Sequence, residues 1–336
     1  NPNDFVEGID STVWKSLNDS LEKPLYNRPL KGIYPPGSTY KPFMALAALE
    51  NGKRTPSQAT SDPGFFTFGN HTFRDDKKGG HGMVDMAKSI VESCDTYYYT
   101  LARDMGVNMM HDFMKPLGFG QITGIDLDGE VRGVLPSTNW KEKTFKRPEQ
   151  QKWYEGETIS LGIGQGYNSF TILQLAHATA NLANGGIVMK PHIVKAIENP
   201  ITKKKSLTTP KESYRIPLKS EHIDVIKNAM LDVNKFGTSA QAFTGAAYQP
   251  AGKTGTAQVF SLGSKNYSHG ATAEFLRDHA LYIVFAPADK PKIAIGMIVE
   301  NAGFGAVNAA PIARRALDYY LEGKWPKEIP EWKNAP

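Results

Sequence analysis

Along the chain the apolar positions change their period, and the changes mark out elements. Residues 1–27 are polar and mixed, with no sustained repeat. Residues 42–51 are apolar almost all round, the pattern of a buried helix. Pro42 suits a first helical turn and Asn51-Gly52 a stop, so a helix is expected over residues 38–51. Two more are expected over residues 84–92 and 96–105, the second ending before Gly106, with Ser93, Cys94 and Asp95 as a tight polar turn between them. Over residues 171–184, Ile172, Leu175, Ala176, Thr179, Leu182 and Ala183 fall at helical spacing, closed by Gly185-Gly186.

Later the period shortens. Residues 281–286 and 293–299 are short β-rich runs separated by a Pro-Ala-Asp-Lys-Pro stretch, which reads as a hairpin. Residues 252–260 form a third strand candidate and residues 310–321 a closing helix. Strands grouped late, with helices before and after them, predict an α+β fold with an antiparallel sheet flanked by helices. The stretches 140–152 and 199–219, rich in proline and lysine, read as surface loops or small excursions.

Composition adds bounds. At 336 residues the chain lies at the upper edge of one large domain or within reach of two. Hydrophobic content of 40% with 22% charged residues is that of a folded globule rather than a disordered chain. The net charge of +5 is small for this length, and the lysines read as scattered apart from Lys203-Lys204-Lys205, taken as a solvated turn. No nucleic-acid partner is expected. One cysteine, Cys94, excludes an internal disulfide. No apolar run approaches the roughly 20 residues that cross a bilayer, and Asn1 opens the chain without Met or a signal pattern. The chain reads as a fragment, with any anchor or export signal upstream.

Three motifs carry the chemistry: Ser38-Thr39-Tyr40-Lys41, Ser93-Cys94-Asp95 and Lys253-Thr254-Gly255-Thr256. Each alone is weak, since Ser20-Leu21-Glu22-Lys23 and Ser137-Thr138-Asn139 match the first two patterns. Context selects among them. Ser20 lies in a polar stretch that meets Pro24, whereas Ser38 opens the buried helix, where i,i+3 spacing stacks it with Lys41 at hydrogen-bonding reach. A serine hydroxyl needs a base, and an ordinary lysine, with a pKa of roughly 10.4, is protonated at neutral pH. Partial burial and the charge of Lys253 across the site are expected to lower the pKa of Lys41.

In this order the motifs resemble those of the penicillin-recognising serine transferases and hydrolases. The stretches Gly32-Ile33-Tyr34-Pro35-Pro36-Gly37-Ser38, Gly162-Ile163-Gly164-Gln165-Gly166 and Arg277-Asp278-His279 extend the likeness over nearly the whole chain. Asp95, where most of the superfamily has Asn, is similar to the elongation-type class B enzymes called penicillin-binding protein 2. The resemblance implies one domain over residues 1–336, with a β-lactamase/transpeptidase-like fold and an all-α subdomain, and a peptidoglycan D,D-transpeptidase inhibited by β-lactams. It implies Ser38 as nucleophile, Lys41 as general base, Ser93 as relay to the leaving amine, and the amides of Ser38 and Thr256 as oxyanion hole. Lys253, Thr254 and Thr256 would hold the substrate carboxylate beside a flat Gly255. A carboxylate at Asp95 could pair with a lysine and raise its pKa. The resemblance also implies work on stem peptides at the periplasmic face of the inner membrane, with a RodA-type glycan polymerase and an MreC-type activator. The family's first sheet strands, membrane helix and pedestal are expected to lie outside the residues given.

Between the first two motifs stand Asp62, Asp75, His81 and Cys94, all of types that ligate zinc. They also fit a small buried cysteine with three loop polars, and Asp76 rivals Asp75. Because residues 74–82 have little apolar content to order them, a structural zinc bracing Ser93 and Asp95 through Cys94 is expected. No cofactor is expected for catalysis. Two other functions stay open: a β-lactamase or D,D-carboxypeptidase, and a non-catalytic β-lactam or muropeptide sensor. No Glu-x-x-x-Asn loop of the class A β-lactamase kind lies between Ser93 and Lys253.

Overall fold

The computed structural model describes residues 2–259 and 273–324. Its centre is helix α1 (Lys41–Glu50), continuous with a 3-10 turn at Gly37–Tyr40. Every residue from Lys41 to Leu49 is buried, as an all-round apolar helix requires. Helix α2 (Met86–Val91) is capped by the Asp85 carboxylate, which accepts from the Lys88 amide. Helix α3 (Asp95–Met114) comes directly after it.

The expected end of α3 at Met105 is corrected: the chain breaks at Gly106 (φ 72°, ψ 159°) and resumes helix, because Val107, Met110 and Met114 continue the buried stripe. Helix α4 (Ile172–Ala183) starts from a capping box in which Thr171 and Gln174 satisfy one another's amides. Helix α5 (Ser220–Lys235) is not among the expected elements, although Ile223, Ile226, Met230 and Val233 make an apolar stripe. Helix α6 (Ala310–Glu322) ends on Gly323. The stretch 140–152, expected as a surface loop or small excursion, is crossed by short helices at Thr138–Thr144 and Pro148–Gln151; Ser137 caps the first.

Two short hairpins precede α2. Strand β1 (Thr60–Asp62) pairs with β4 (Gly82–Val84), and β2 (Phe65–Phe68) with β3 (His71–Arg74). The main sheet is antiparallel, in the order β5 (Ala251–Ala257), β6 (His279–Ala286), β7 (Ile293–Val299). The expected hairpin is therefore present. Phe260, placed at the end of the first strand by sequence, lies outside the described residues.

Alternation along β6 divides the core. Leu281, Ile283 and Phe285 join the cluster built on α1, α3, α4 and α5, while Ala280, Tyr282, Val284 and Ala286 join one built on α6. A strand covered on both faces reads as an uninterrupted apolar run, as this one does. The sheet thus has the helical body on one side and α6 on the other, and β5 forms its edge beside Gly37–Tyr40.

Candidate active site

The turn at Gly37–Tyr40 presses against β5 with nothing between them. A Cβ on Gly37 would sit 2.5 Å from the Thr256 carbonyl oxygen, and one on Gly255 would sit 2.7 Å from Thr39 Cγ2. Gly37 also holds a left-handed φ of +54° and donates its amide to the Gly164 carbonyl (3.1 Å). Thr39 donates to the Pro36 carbonyl (2.6 Å). Within this packed turn Ser38 alone is partly exposed; Gly37, Thr39 and Tyr40 are buried. The serine expected as nucleophile is therefore the accessible residue of this turn.

Two fully buried lysines lie behind it. Lys41 Nζ donates to the Ser93 carbonyl (2.5 Å), to Ser93 Oγ (3.2 Å) and to Asp95 Oδ1 (2.5 Å). Lys253 Nζ donates to Ser93 Oγ (2.8 Å) and to the Thr254 carbonyl (3.1 Å). Ser93 Oγ is thus the atom on which both amines converge. Burial, reinforced by the neighbouring charge of Lys41, pushes Lys253 well below the ordinary 10.5. Burial pushes the Asp95 carboxyl up, and the Lys41 charge opposes that rise.

The predicted pairing of Asp95 with a lysine is present, with Lys41 as the partner. The Ser38–Lys41 hydrogen bond expected from the i,i+3 spacing is not present among the described residues. A carboxylate binds an ammonium group roughly twice as strongly as a neutral hydroxyl does, and Asp95 holds Lys41 turned towards Ser93. Ser93 itself has a left-handed φ of 64°, which costs a non-glycine residue roughly 1–2 kcal/mol. The turn is clamped on both sides, by the Cys94 amide on the Ser89 carbonyl (3.1 Å) and the Thr96 amide on Asp75 Oδ2 (2.9 Å).

Other contacts were not legible in the motifs. Thr238 Oγ1, just beyond α5, is 2.8 Å from Thr254 Oγ1 and fixes that hydroxyl. Gln165 Nε2 donates to the Thr256 carbonyl (3.3 Å), tying the Gly-rich segment to β5. That segment is anchored by a buried cation. Lys141 Nζ reaches both carboxylate oxygens of Glu157 (2.6 and 2.5 Å) and lies over the rings of Trp153, Tyr154 and Tyr167.

The four residues proposed as metal ligands are brought together by the small hairpins and the start of α3. All are buried, with their ligand atoms within 4.8 Å of one another. His81 Nδ1 lies 2.8 Å from Asp62 Oδ2 and 3.2 Å from Asp75 Oδ1; Cys94 Sγ lies 3.4 and 3.5 Å from the same two carboxylates. Burial opposes the charge of Asp62, yet amides of Gly64 and His81 hold its carboxyl at about 2. Burial and the nearby carboxylates push the Cys94 thiol up. Two carboxylates and a thiol with one imidazole between them, shielded from water, make a donor set that fits a tetrahedral divalent cation such as zinc. Asp76, the rival ligand, is not in the cluster.

A serine-bearing turn, a lysine-bearing helix and a Lys-Thr-Gly edge strand meeting in one cleft are the hallmark of the penicillin-recognising serine proteins and their β-lactamase/transpeptidase-like fold. The chain belongs to the family of the penicillin binding protein transpeptidase domain, which it matches over residues 1–318. It is 44% identical to the peptidoglycan D,D-transpeptidase MrdA of Haemophilus influenzae, covering 96% of this chain and 50% of that protein. Pseudomonas aeruginosa PBP2, solved in complex with WCK 5153, is similar at a TM-score of 0.83 and 40% identity, covering 98% of this chain and 71% of the other. Helicobacter pylori PBP2 in its complex with MreC gives 0.79 at 32%, covering 96% and 56%. The chain spans about half the length of the curated relatives it matches.

Proposed function

We propose that the chain is the transpeptidase unit of a longer peptidoglycan D,D-transpeptidase that cross-links stem peptides during cell elongation. The observation that carries this reading is the convergence of Lys41 and Lys253 on Ser93 Oγ behind the partly exposed Ser38. Ser38 Oγ attacks the carbonyl of the penultimate D-alanine, and Lys41, having ceded its ammonium proton to the paired Asp95 carboxylate, accepts the hydroxyl proton. The amides of Ser38 and Thr256 stabilise the tetrahedral oxyanion. Ser93 passes a proton to the nitrogen of the terminal D-alanine as the peptide bond breaks. An amine of a second stem peptide then attacks the acyl-enzyme, forms the cross-link and returns the proton, freeing Ser38.

Lys253, Thr254 and Thr256 form the wall that takes the terminal carboxylate, and Asp95 sets the direction of Lys41. A β-lactam acylates the same serine, but its leaving nitrogen stays tethered, so the adduct persists.

No cofactor takes part in these steps. Asp62, Asp75, His81 and Cys94 would hold a structural zinc, which would supply a cross-link between the 75–81 loop and the residues flanking Cys94, namely Ser93 and Asp95. Residues 1–336 act as one catalytic unit. No helix among the described residues is long and apolar enough to cross a membrane. The match to half the length of its relatives is compatible with a longer protein, in which an anchor would place the work at the periplasmic face of the inner membrane. The PBP2–MreC complex supports an MreC-type activator, and a RodA-type polymerase comes with the same assignment.

Labelling with fluorescent penicillin over hours separates the rival readings. A stable label that vanishes in Ser38→Ala, together with cross-linking of supplied stem peptides, is the expected result. Rapid loss of label would mean a hydrolase, and stable label without cross-linking a sensor.

A further inference from the structure

Six of the lysines are gathered on one arm. Residues 190–211 carry Lys190, Lys195, Lys203, Lys204, Lys205 and Lys211 against a single acidic residue, Glu198. Their net +5 equals the formal charge of the whole chain, so the other residues sum to zero.

The arm is a built ribbon. Ala196–Glu198 pairs with Lys205–Leu207, the Lys190 amide donates to the Lys211 carbonyl (2.9 Å), and the Thr208 amide donates to the Lys195 carbonyl (3.0 Å). At its base Asp126 accepts the amides of Ile193 and Val194 (2.7 and 3.0 Å), which fixes the arm to the body. Its two limbs reach roughly 25–30 Å at strand spacing. Every residue from 192 to 207 is exposed. Lys205 lies 3.3 Å from Glu198, and among the described residues no acidic group stands against the other five lysines.

Like charges held on a fixed ribbon repel one another, and a polyanion relieves that repulsion. Peptidoglycan is such a polymer, since its stem peptides bear free carboxylates along every strand. We propose that this ribbon is a docking surface for carboxylate-bearing peptidoglycan, holding the polymer while the Ser38 cleft works on a single stem. The choice of occupant rests on the transpeptidase reading, although none of the ribbon's residues contributes to that cleft.

Co-sedimentation with purified insoluble peptidoglycan tests the proposal, using protein with and without penicillin on Ser38 so that binding in the cleft is separated from binding on the arm. The protein is expected to pellet at about 0.05 M salt in both states and to be released towards about 0.5 M as screening shortens. The triple substitution Lys203→Gln, Lys204→Gln, Lys205→Gln is expected to weaken pelleting roughly tenfold while labelling by penicillin stays at the wild-type rate. Amidating the carboxylates of the polymer is expected to have the same effect. Equal pelleting of the variant, retention on amidated polymer, or binding only to vesicles of anionic phospholipid would each overturn the proposal. Failure of the wild type to take up penicillin would instead count against the transpeptidase reading, because lysine-dependent pelleting is measured without the drug as well.

Discussion

Ser93 Oγ accepts from two buried amines at once, and Lys253 sets the sign of the pH dependence at this site. Its folded-state pKa is lowered by burial and then by Lys41, so the folded protein sheds a proton that the unfolded chain keeps up to about 10.5. Stability contributed at this position therefore rises with pH between the depressed folded value and the unfolded one. Recognition of a substrate carboxylate weakens over the same window, because the cation that attracts it is lost. The second-order rate of acylation by penicillin is expected to fall on the alkaline side well before the normal lysine range, and Lys253→Arg, which stays charged, to remove that limb. An unchanged alkaline limb in the arginine variant would contradict the assignment.

At this scale the side chains of Lys41, Ser93 and Lys253 from the three motifs meet, with Ser38 in the turn that leads into Lys41, because fixed spacing on a helix and a strand determines where such side chains go. The motifs did not show that Asp95 would draw Lys41 away from Ser38, since that depends on the competition of two acceptors around one amine. Thr238 was invisible for a similar reason: it meets Thr254 only through the packing of a loop after α5.

Among the elements, the segment from Glu157 to Gln165 is a strut between a distant ion pair and the cleft. Glu157 binds Lys141 in an aromatic cage, and the chain then runs to Gly164, which accepts the Gly37 amide, and to Gln165, which reaches Thr256. Lys141→Met keeps the volume and removes the counter-charge. The expected loss of stability is on the order of 2–3 kcal/mol, below the full buried-pair value because the Glu157 side chain is a quarter exposed.

Burial raises the Glu157 carboxyl, but Lys141 and hydrogen bonds from the Tyr154 amide and Tyr167 hold it below 4.5. That contribution is therefore present above 4.5 and lost as pH falls through the folded value. The gap between wild type and variant in denaturant melts should narrow in acid; a gap that is constant with pH would mean that lost packing, not charge, is responsible.

The group of Asp62, Asp75, His81 and Cys94 is a second link between elements, joining the 75–81 loop to the start of α3. Protein purified without added metal is expected to carry one zinc per chain. Removing it with a chelator should lower the melting temperature and open Cys94 to alkylation. A zinc-free protein with the same melting temperature would remove the centre from this account.

Helices α1, α2 and α4 and the β6–β7 hairpin are readable because a single period governs each of them. Helix α5 carries an equally clear stripe, but the polar and charged residues between its apolar positions mask the repeat. The continuation of α3 past Gly106 is hidden by a residue that ordinarily ends a helix.

Across the whole molecule, the edge strand, the buried helix and the Ser93 turn come from three distant parts of the sequence and meet beside a sheet whose strand β6 is covered on both faces. Their order along the chain is enough to suggest the family, whereas the arm at residues 190–211 is not legible, because charge counted by residue does not reveal charge gathered in space. The central claim is that this convergence makes Ser38 the acylated residue. Intact-mass analysis of the protein after benzylpenicillin, with peptide mapping of the adduct, tests it directly. One penicilloyl group on the peptide containing Ser38, retained for hours and absent from Ser38→Ala, is the predicted result; a folded wild-type protein that takes up no adduct, or carries it on another residue, would contradict the account.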